Sequence, residues 1–259
     1  MSVMTATPPA AIRRSALLRL TISELKLLLR ERIRIFFGIG FPLILLIIFG
    51  SIPSFNRPST TFGGYTTLDI YIPVLIAFSL ALLSLTALPM ALAGYRERGV
   101  LRRLQTTPAG ATRVLAAQLL VNLAMATASV IVILAVARIG YHVFLPRQLG
   151  GFIVAALLTA AALMAVGLLI AALAPSGRVA QITGALLFYP MMFFAGLWLP
   201  LASMPSGLRH FSHATPLGAA VQALQDASAG HWPHPLQLVT LAAYAVVLGL
   251  AAARLFRWE

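Results

Sequence analysis

Cysteine is absent from this chain, which excludes disulfides, thiolate-held metals and cysteine nucleophiles. Lysine occurs once, as Lys26 after Leu25, so no Gly-Lys pair exists and a phosphate-cradling Walker A loop is excluded. Only six residues are acidic, and none lies near the centre of a long apolar run. Ion-coupled carriers and proton pumps place ionisable groups there, so both are disfavoured. Charged residues of all kinds make up 10% of the chain against 60% hydrophobic, with a mean hydropathy of +0.92. A soluble domain carries roughly a quarter charged residues, so this chain belongs in a bilayer.

What is present is six long apolar runs, near Ile35–Ile52, Ile70–Gly94, Ala111–Ala137, Gly150–Ala174, Ile182–Leu201 and Leu236–Ala253. Each approaches the roughly 17–25 helical residues that cross a hydrocarbon core. The runs are continuously apolar rather than alternating, which predicts helices and not barrel strands. The expected architecture is an all-α integral membrane protein with residues 1–34 as tail and interfacial helix, and 35–259 as a six-span domain. No internal repeat relates the first three runs to the last three.

The net charge of +13 would suit nucleic acid only if the basic residues shared one exposed face. They sit instead at the ends of the apolar runs, which argues against nucleic acid and sets an orientation. With both termini inside, fifteen of the nineteen basic residues are cytoplasmic and only Arg57, Arg138, Arg147 and Arg209 lie outside. The first run is long for a signal-peptide core and lacks a clear cleavage site.

Between Ile12 and Arg34, apolar residues alternate with Arg, Lys and Glu at helical spacing, as in an amphipathic helix on the inner membrane surface. From Ala202 to Pro235 the chain is too polar and proline-broken to span. Thr215-Pro216 starts a helix there, and two short helices are expected to dip into or lie on the outer leaflet. The histidine pairs His210/His213 and His231/His234 have no acidic cluster beside them and read as solvated groups rather than metal ligands. No histidine faces a Gly-x-Ser-Gly nucleophile, which disfavours an intramembrane protease.

Gln118 and Asn122 share one face of the third run, either as interhelical hydrogen-bonding groups or as part of a substrate path. FYPMMFFAGLWLP, from Phe188 to Pro200, offers Tyr189, Phe193, Phe194 and Trp198 either to an adaptable apolar cavity or to lipid. Pro42 and Pro89 each release a backbone carbonyl inside a span, and Pro42 joins the candidate path.

The stretch YRERGVLRRLQTTPAG, Tyr95–Gly110, sits between the second and third runs. Val100, Leu101 and Leu104 form an apolar stripe against Arg96, Arg98, Arg102 and Arg103, Gly99 permits a bend, and Thr107-Pro108 restarts a helix. Retaining arginines inside needs none of this order, which favours docking to another protein. YRERGVLRRLQTTP resembles the cytoplasmic segment of ABC-2 type permeases. LLLRERIRIFFGIGFPLILLI (Leu27–Ile47) and FFAGLWLPLASMPSGLRHFSHATPLGAAVQAL (Phe193–Leu224) are similar to that family's first span and outer hairpin.

The resemblance implies a bacterial plasma-membrane exporter subunit that pairs with a second permease, identical or not, and with two copies of a separate ABC ATPase. ATP and Mg would be bound by that ATPase, with no cofactor in this chain. Tyr95–Leu104 would be the coupling helix, with Glu97 as its acidic contact. The interfacial helix would add Lys26, Arg30 and Glu31, although Glu31 alone stands for the family's usual acidic or asparagine residue. The missing buried charge and the aromatic fifth run favour an amphipathic drug, lipid or natural product. A polysaccharide exporter of the same plan, an ATP-independent channel or carrier, and a membrane scaffold are the alternatives.

Overall fold

The computed structural model describes residues 21–58, 64–105, 111–198 and 204–256. Helix α1 covers 21–30. Helix α2 starts as Arg32–Ile35, passes through a π-helical turn at Phe36–Gly40 and continues over Phe41–Ser51. Helix α3, Thr67–Glu97, contains a second π-turn at Leu83–Ala87. There follow α4 (Val100–Gln105), α5 (Ala111–Tyr141), α6 (Leu149–Leu173), α7 (Gly177–Phe194), α8 (Ser206–Ala214), α9 (Pro216–Ala229) and α10 (Pro235–Leu255).

Helices α3, α5, α6 and α10 are long and apolar enough to cross a membrane. The apolar part of α2, Phe36–Ser51, is shorter. The fifth run is displaced from its expected bounds of Ile182–Leu201. Ser176 Oγ accepts the Val179 N–H at 3.3 Å and starts α7 early, while Gly196, at φ 89°, ends it. Arg178 and Gln181 therefore enter the helix, and Trp198 lies beyond it. Large apolar side chains face outward along the helices, among them Ile139, Leu186, Leu236 and Val247. Such a surface suits hydrocarbon and not water.

The core is organised around α3, whose side chains from Tyr71 to Ala81 are all buried. Thr66 caps it: its Oγ1 accepts the Asp69 N–H at 3.1 Å while Asp69 Oδ2 accepts the Thr66 N–H at 2.9 Å. The two expected proline-released carbonyls are identifiable. Pro42 frees Gly38 O on α2, which the Ser79 hydroxyl of α3 takes at 2.6 Å. Ser129 Oγ of α5 lies 3.1 Å from the same oxygen and 2.6 Å from Ser79 Oγ. Pro42 is thus buried at a three-helix junction.

In α3, Pro89 has no N–H for Leu85 O, and the π-turn sends Leu88 N–H to Leu83 O, past Ser84 O. Glycines of neighbouring helices cover both carbonyls. A Cβ at Gly184 of α7 would stand 1.8 Å from Leu85 O, and one at Gly167 of α6 would stand 2.0 Å from Ser84 O. Only glycine permits this approach.

The two short helices expected between Ala202 and Pro235 are α8 and α9, and α9 is not a surface helix. Leu217, Ala219, Ala220, Val221, Ala223, Leu224 and Ala227 are fully buried. Thr215 Oγ1 accepts the Gly218 N–H at 3.1 Å with Pro216 in the first turn, as the sequence predicts. At the other end Gly230, at φ 101°, closes the helix, and Gln148 N–H donates to Ala227 O at 3.1 Å. Gln225 Nε2 donates to Ile70 O on α3 and Gln237 Nε2 of α10 donates to Asp226 Oδ2, which ties α9 to two neighbouring helices.

Candidate functional site

Three consecutive residues at the arginine-rich end of α3 connect to four other elements. The Tyr95 hydroxyl donates to Glu24 Oε2 of α1 at 2.8 Å, and Gln118 Nε2 of α5 donates to the same oxygen at 2.6 Å. Arg96 donates from Nη1 to Ala172 O at 3.1 Å and from Nη2 to Ala174 O, at the C-terminus of α6. Glu97 Oε2 accepts the Gly177 N–H at 3.0 Å, at the N-terminus of α7. Each charge matches its helix end, the cation meeting the carbonyl terminus and the anion meeting the amide terminus. The Tyr-Arg-Glu triplet is a fastening for α1, α5, α6 and α7.

Glu97 is therefore occupied within the chain, although it remains exposed. Arg98 turns back, its guanidinium 5.7 Å from the centre of the Tyr95 ring. Gly99 adopts φ 66°, the bend expected of it, and α4 follows with Arg103 N–H on Gly99 O. Arg102 and Arg103 are exposed and Val100 is half-buried. The side chains of Leu101 and Leu104, the Thr107-Pro108 restart and residues 1–20 lie outside the described residues.

On α1, Leu28 is buried while Lys26, Arg30 and the outward leucines Leu25, Leu27 and Leu29 are exposed. Glu31 pairs with Arg34 at 3.3 Å, and Arg34 Nη2 donates to Ala87 O at 3.0 Å, the last residue of the α3 π-turn. Glu24, which carries the contact to α3, was not singled out by the sequence. Burial pushes its carboxyl above the ordinary value, against the Tyr95 hydroxyl and Arg34, which lower it, while Glu31 raises it. Its scarcity as one of six acids was the available signal.

The candidate path residues separate into two sets. Gln118 and Asn122 are buried, and Asn122 Nδ2 lies 3.5 Å from Ser84 Oγ, so both serve interhelical hydrogen bonding. Tyr189, Phe193 and Trp198 face outward, and Phe194 packs its ring 4.7 Å from that of Phe211 on α8. The structure does not gather these four aromatics with Pro42 and Gln118.

Two cavities lie at opposite ends of the helices. A cleft of about 880 Å³ opens at the arginine-rich end between α1, α2, α3 and α7, lined by residues that include Arg30, Arg34, Phe37, Met90, Tyr95 and Gln181. A smaller one of about 270 Å³ lies among Tyr65, Asp69, Arg147, Gln225 and Asp226 at the other end.

A family model described as ABC-2 type transporter matches residues 15–228. No curated protein matches the chain.

Proposed function

Because the chain belongs to the ABC-2 type transporter family, we propose that it is the permease subunit of an ATP-driven exporter, moved by a separate ABC ATPase through Tyr95–Leu104. The family is one of membrane transport permeases, which generally work with such a partner. The working unit on this reading is two permeases with two ATPases. Helices α2 and α7 complete six spans. The arginine-rich end faces the cytoplasm of a bacterial plasma membrane, in keeping with the fifteen-to-four division of basic residues. The cargo is an amphipathic drug, lipid or natural product.

The observation that carries the reading is the Tyr95–Glu97 fastening. A force applied to α4 bends the chain at Gly99 and reaches α1 and α5 through Tyr95, α6 through Arg96 and α7 through Glu97. Closure of the ATPases on ATP would thus tilt the ends of several helices together. A solvated loop needs no such wiring. Glu97 acts as an internal link in this scheme, and Arg102 and Arg103, exposed on α4, are the groups offered to the ATPase.

The test separates docking from transmission. Purified with its ATPase, Arg102→Glu/Arg103→Glu should lose co-elution, since reversing charges at a close contact costs about 2–5 kcal/mol. Glu97→Gln should keep co-elution and lose most cargo-stimulated ATP hydrolysis. Normal assembly and normal stimulation in both variants would reduce the segment to a loop.

A further inference from the structure

We propose that the cleft of about 880 Å³ between α1, α2, α3 and α7 is a binding site for an amphiphile with an anionic head group, a phosphate or carboxylate. This deepens the exporter reading and rests on it for its role in transport. The size falls within the roughly 300–1,000 Å³ typical of ligand pockets. Its apolar wall is Leu27, Phe37, Leu82, Leu83 and Met90, of which Leu27, Phe37 and Met90 are exposed in the chain. Those side chains would gain by covering an alkyl or ring moiety.

The charge in the cleft is not balanced by its acids. Arg30, Arg32, Arg34 and Arg98 line it together with Glu24 and Glu31. Glu31 is taken by Arg34 at 3.3 Å. Glu24 has its Oε2 committed to Tyr95 and Gln118. No carboxylate among the described residues therefore pairs with Arg30, Arg32 or Arg98, and Arg30 and Arg32 are exposed. Guanidinium groups beside apolar walls recognise a planar or tetrahedral oxyanion with a tail. A cationic or neutral amphiphile leaves those charges unanswered.

The cleft also touches the transmission path, since Tyr95 and Arg98 line it and Arg34 bonds the α3 π-turn at Ala87. A bound head group bridging Arg30 of α1 and Arg98 would sense any motion of α3 relative to α1.

The probes are dodecyl phosphate and dodecyltrimethylammonium, titrated onto the full chain in phosphatidylcholine nanodiscs by calorimetry. Empty discs are subtracted. Saturable binding of dodecyl phosphate is expected, with dodecyltrimethylammonium at least about tenfold weaker. Arg30→Gln/Arg98→Gln should weaken dodecyl phosphate about tenfold or more. Met90→Trp, which fills the apolar wall, should do the same. Arg209→Gln/Arg254→Gln removes equal charge from exposed positions away from the cleft and should leave binding intact. Competition by phosphatidylglycerol placed in the disc would identify a bilayer lipid as the occupant. Saturable binding without that competition would identify a free amphiphile. Equal weakening by both arginine pairs, or no preference for the anion, overturns the proposal. Binding needs no ATPase, so a chain that couples normally to its ATPase without this selectivity refutes the cleft assignment alone.

Discussion

Gly184→Ala is the most demanding test of the packing around α3. The added Cβ would lie 1.8 Å from Leu85 O, 2.8 Å from Leu85 C and 3.4 Å from Thr86 Cα. A carbon contacts a carbonyl oxygen comfortably at about 3.3 Å or more, so α7 must move off α3 by about 1.5 Å. Neither side can yield by a rotamer change, because both obstacles are helix backbone. Overpacking costs typically about 1–3 kcal/mol, and rigid neighbours place this case at the upper end. For a chain of this length that corresponds to about 5–10 °C in melting temperature. The displacement also pulls on Gly177, whose own Cβ position is 2.9 Å from Met90 O and whose N–H is held by Glu97. The assay is thermal unfolding of the purified protein followed by size-exclusion, beside Gly207→Ala. A Cβ at Gly207 meets nothing within 4 Å, so that variant should be neutral or slightly stabilising. Equal melting temperatures for the two variants would refute the close-approach argument.

Three further outcomes are expected. Ser79→Ala and Ser129→Ala should each cost about 1 kcal/mol, whereas the double variant leaves Gly38 O without a hydroxyl and should cost more than the sum; additive losses in a thermal double-mutant cycle would dismiss the shared carbonyl. In the cysteine-free background, an impermeant thiol reagent on intact cells should label Ala229→Cys and spare Gly99→Cys, and the reverse pattern would invert the topology. Burial holds the Glu24 carboxyl above its ordinary 4.5, so its contribution is fully present below that value and is lost as pH rises through the raised one. Relative to Glu24→Gln, the native melting temperature should fall on raising pH across that window, and parallel curves would show that Glu24 is not desolvated.

The apolar runs, the Thr215 cap and the Gly99 bend were readable because each is set by neighbours within a few residues. Pro42 and Pro89 declared that carbonyls would be released, yet not what would meet them. Ser79, Ser129, Gly167 and Gly184 are ordinary residues until a second helix brings them alongside. The same holds for α9, whose Ala- and Gly-rich face gives little apolar signal in one dimension but fits among larger helices. Glu97 was named through the resemblance, as the acidic contact of the coupling helix. Its bond to Gly177 spans 80 residues of sequence, beyond the reach of local pattern.

The π-turn at Leu83–Ala87 acts as a phase setting for α3. A π-turn accommodates one additional residue without breaking the helix, and one residue of α-helix is about 100° of rotation. The Thr66–Asp69 cap and Ile70 O fix the angular position of one end, through Gln225. Everything beyond the turn, including Tyr95, Arg96 and Glu97, is indexed against that origin. Deleting a single residue within Leu83–Ala87 would restore a plain α-helical ladder while turning the triplet by about 100°. Its three side chains would then face the wrong neighbours, even though every one of them is still present in the sequence.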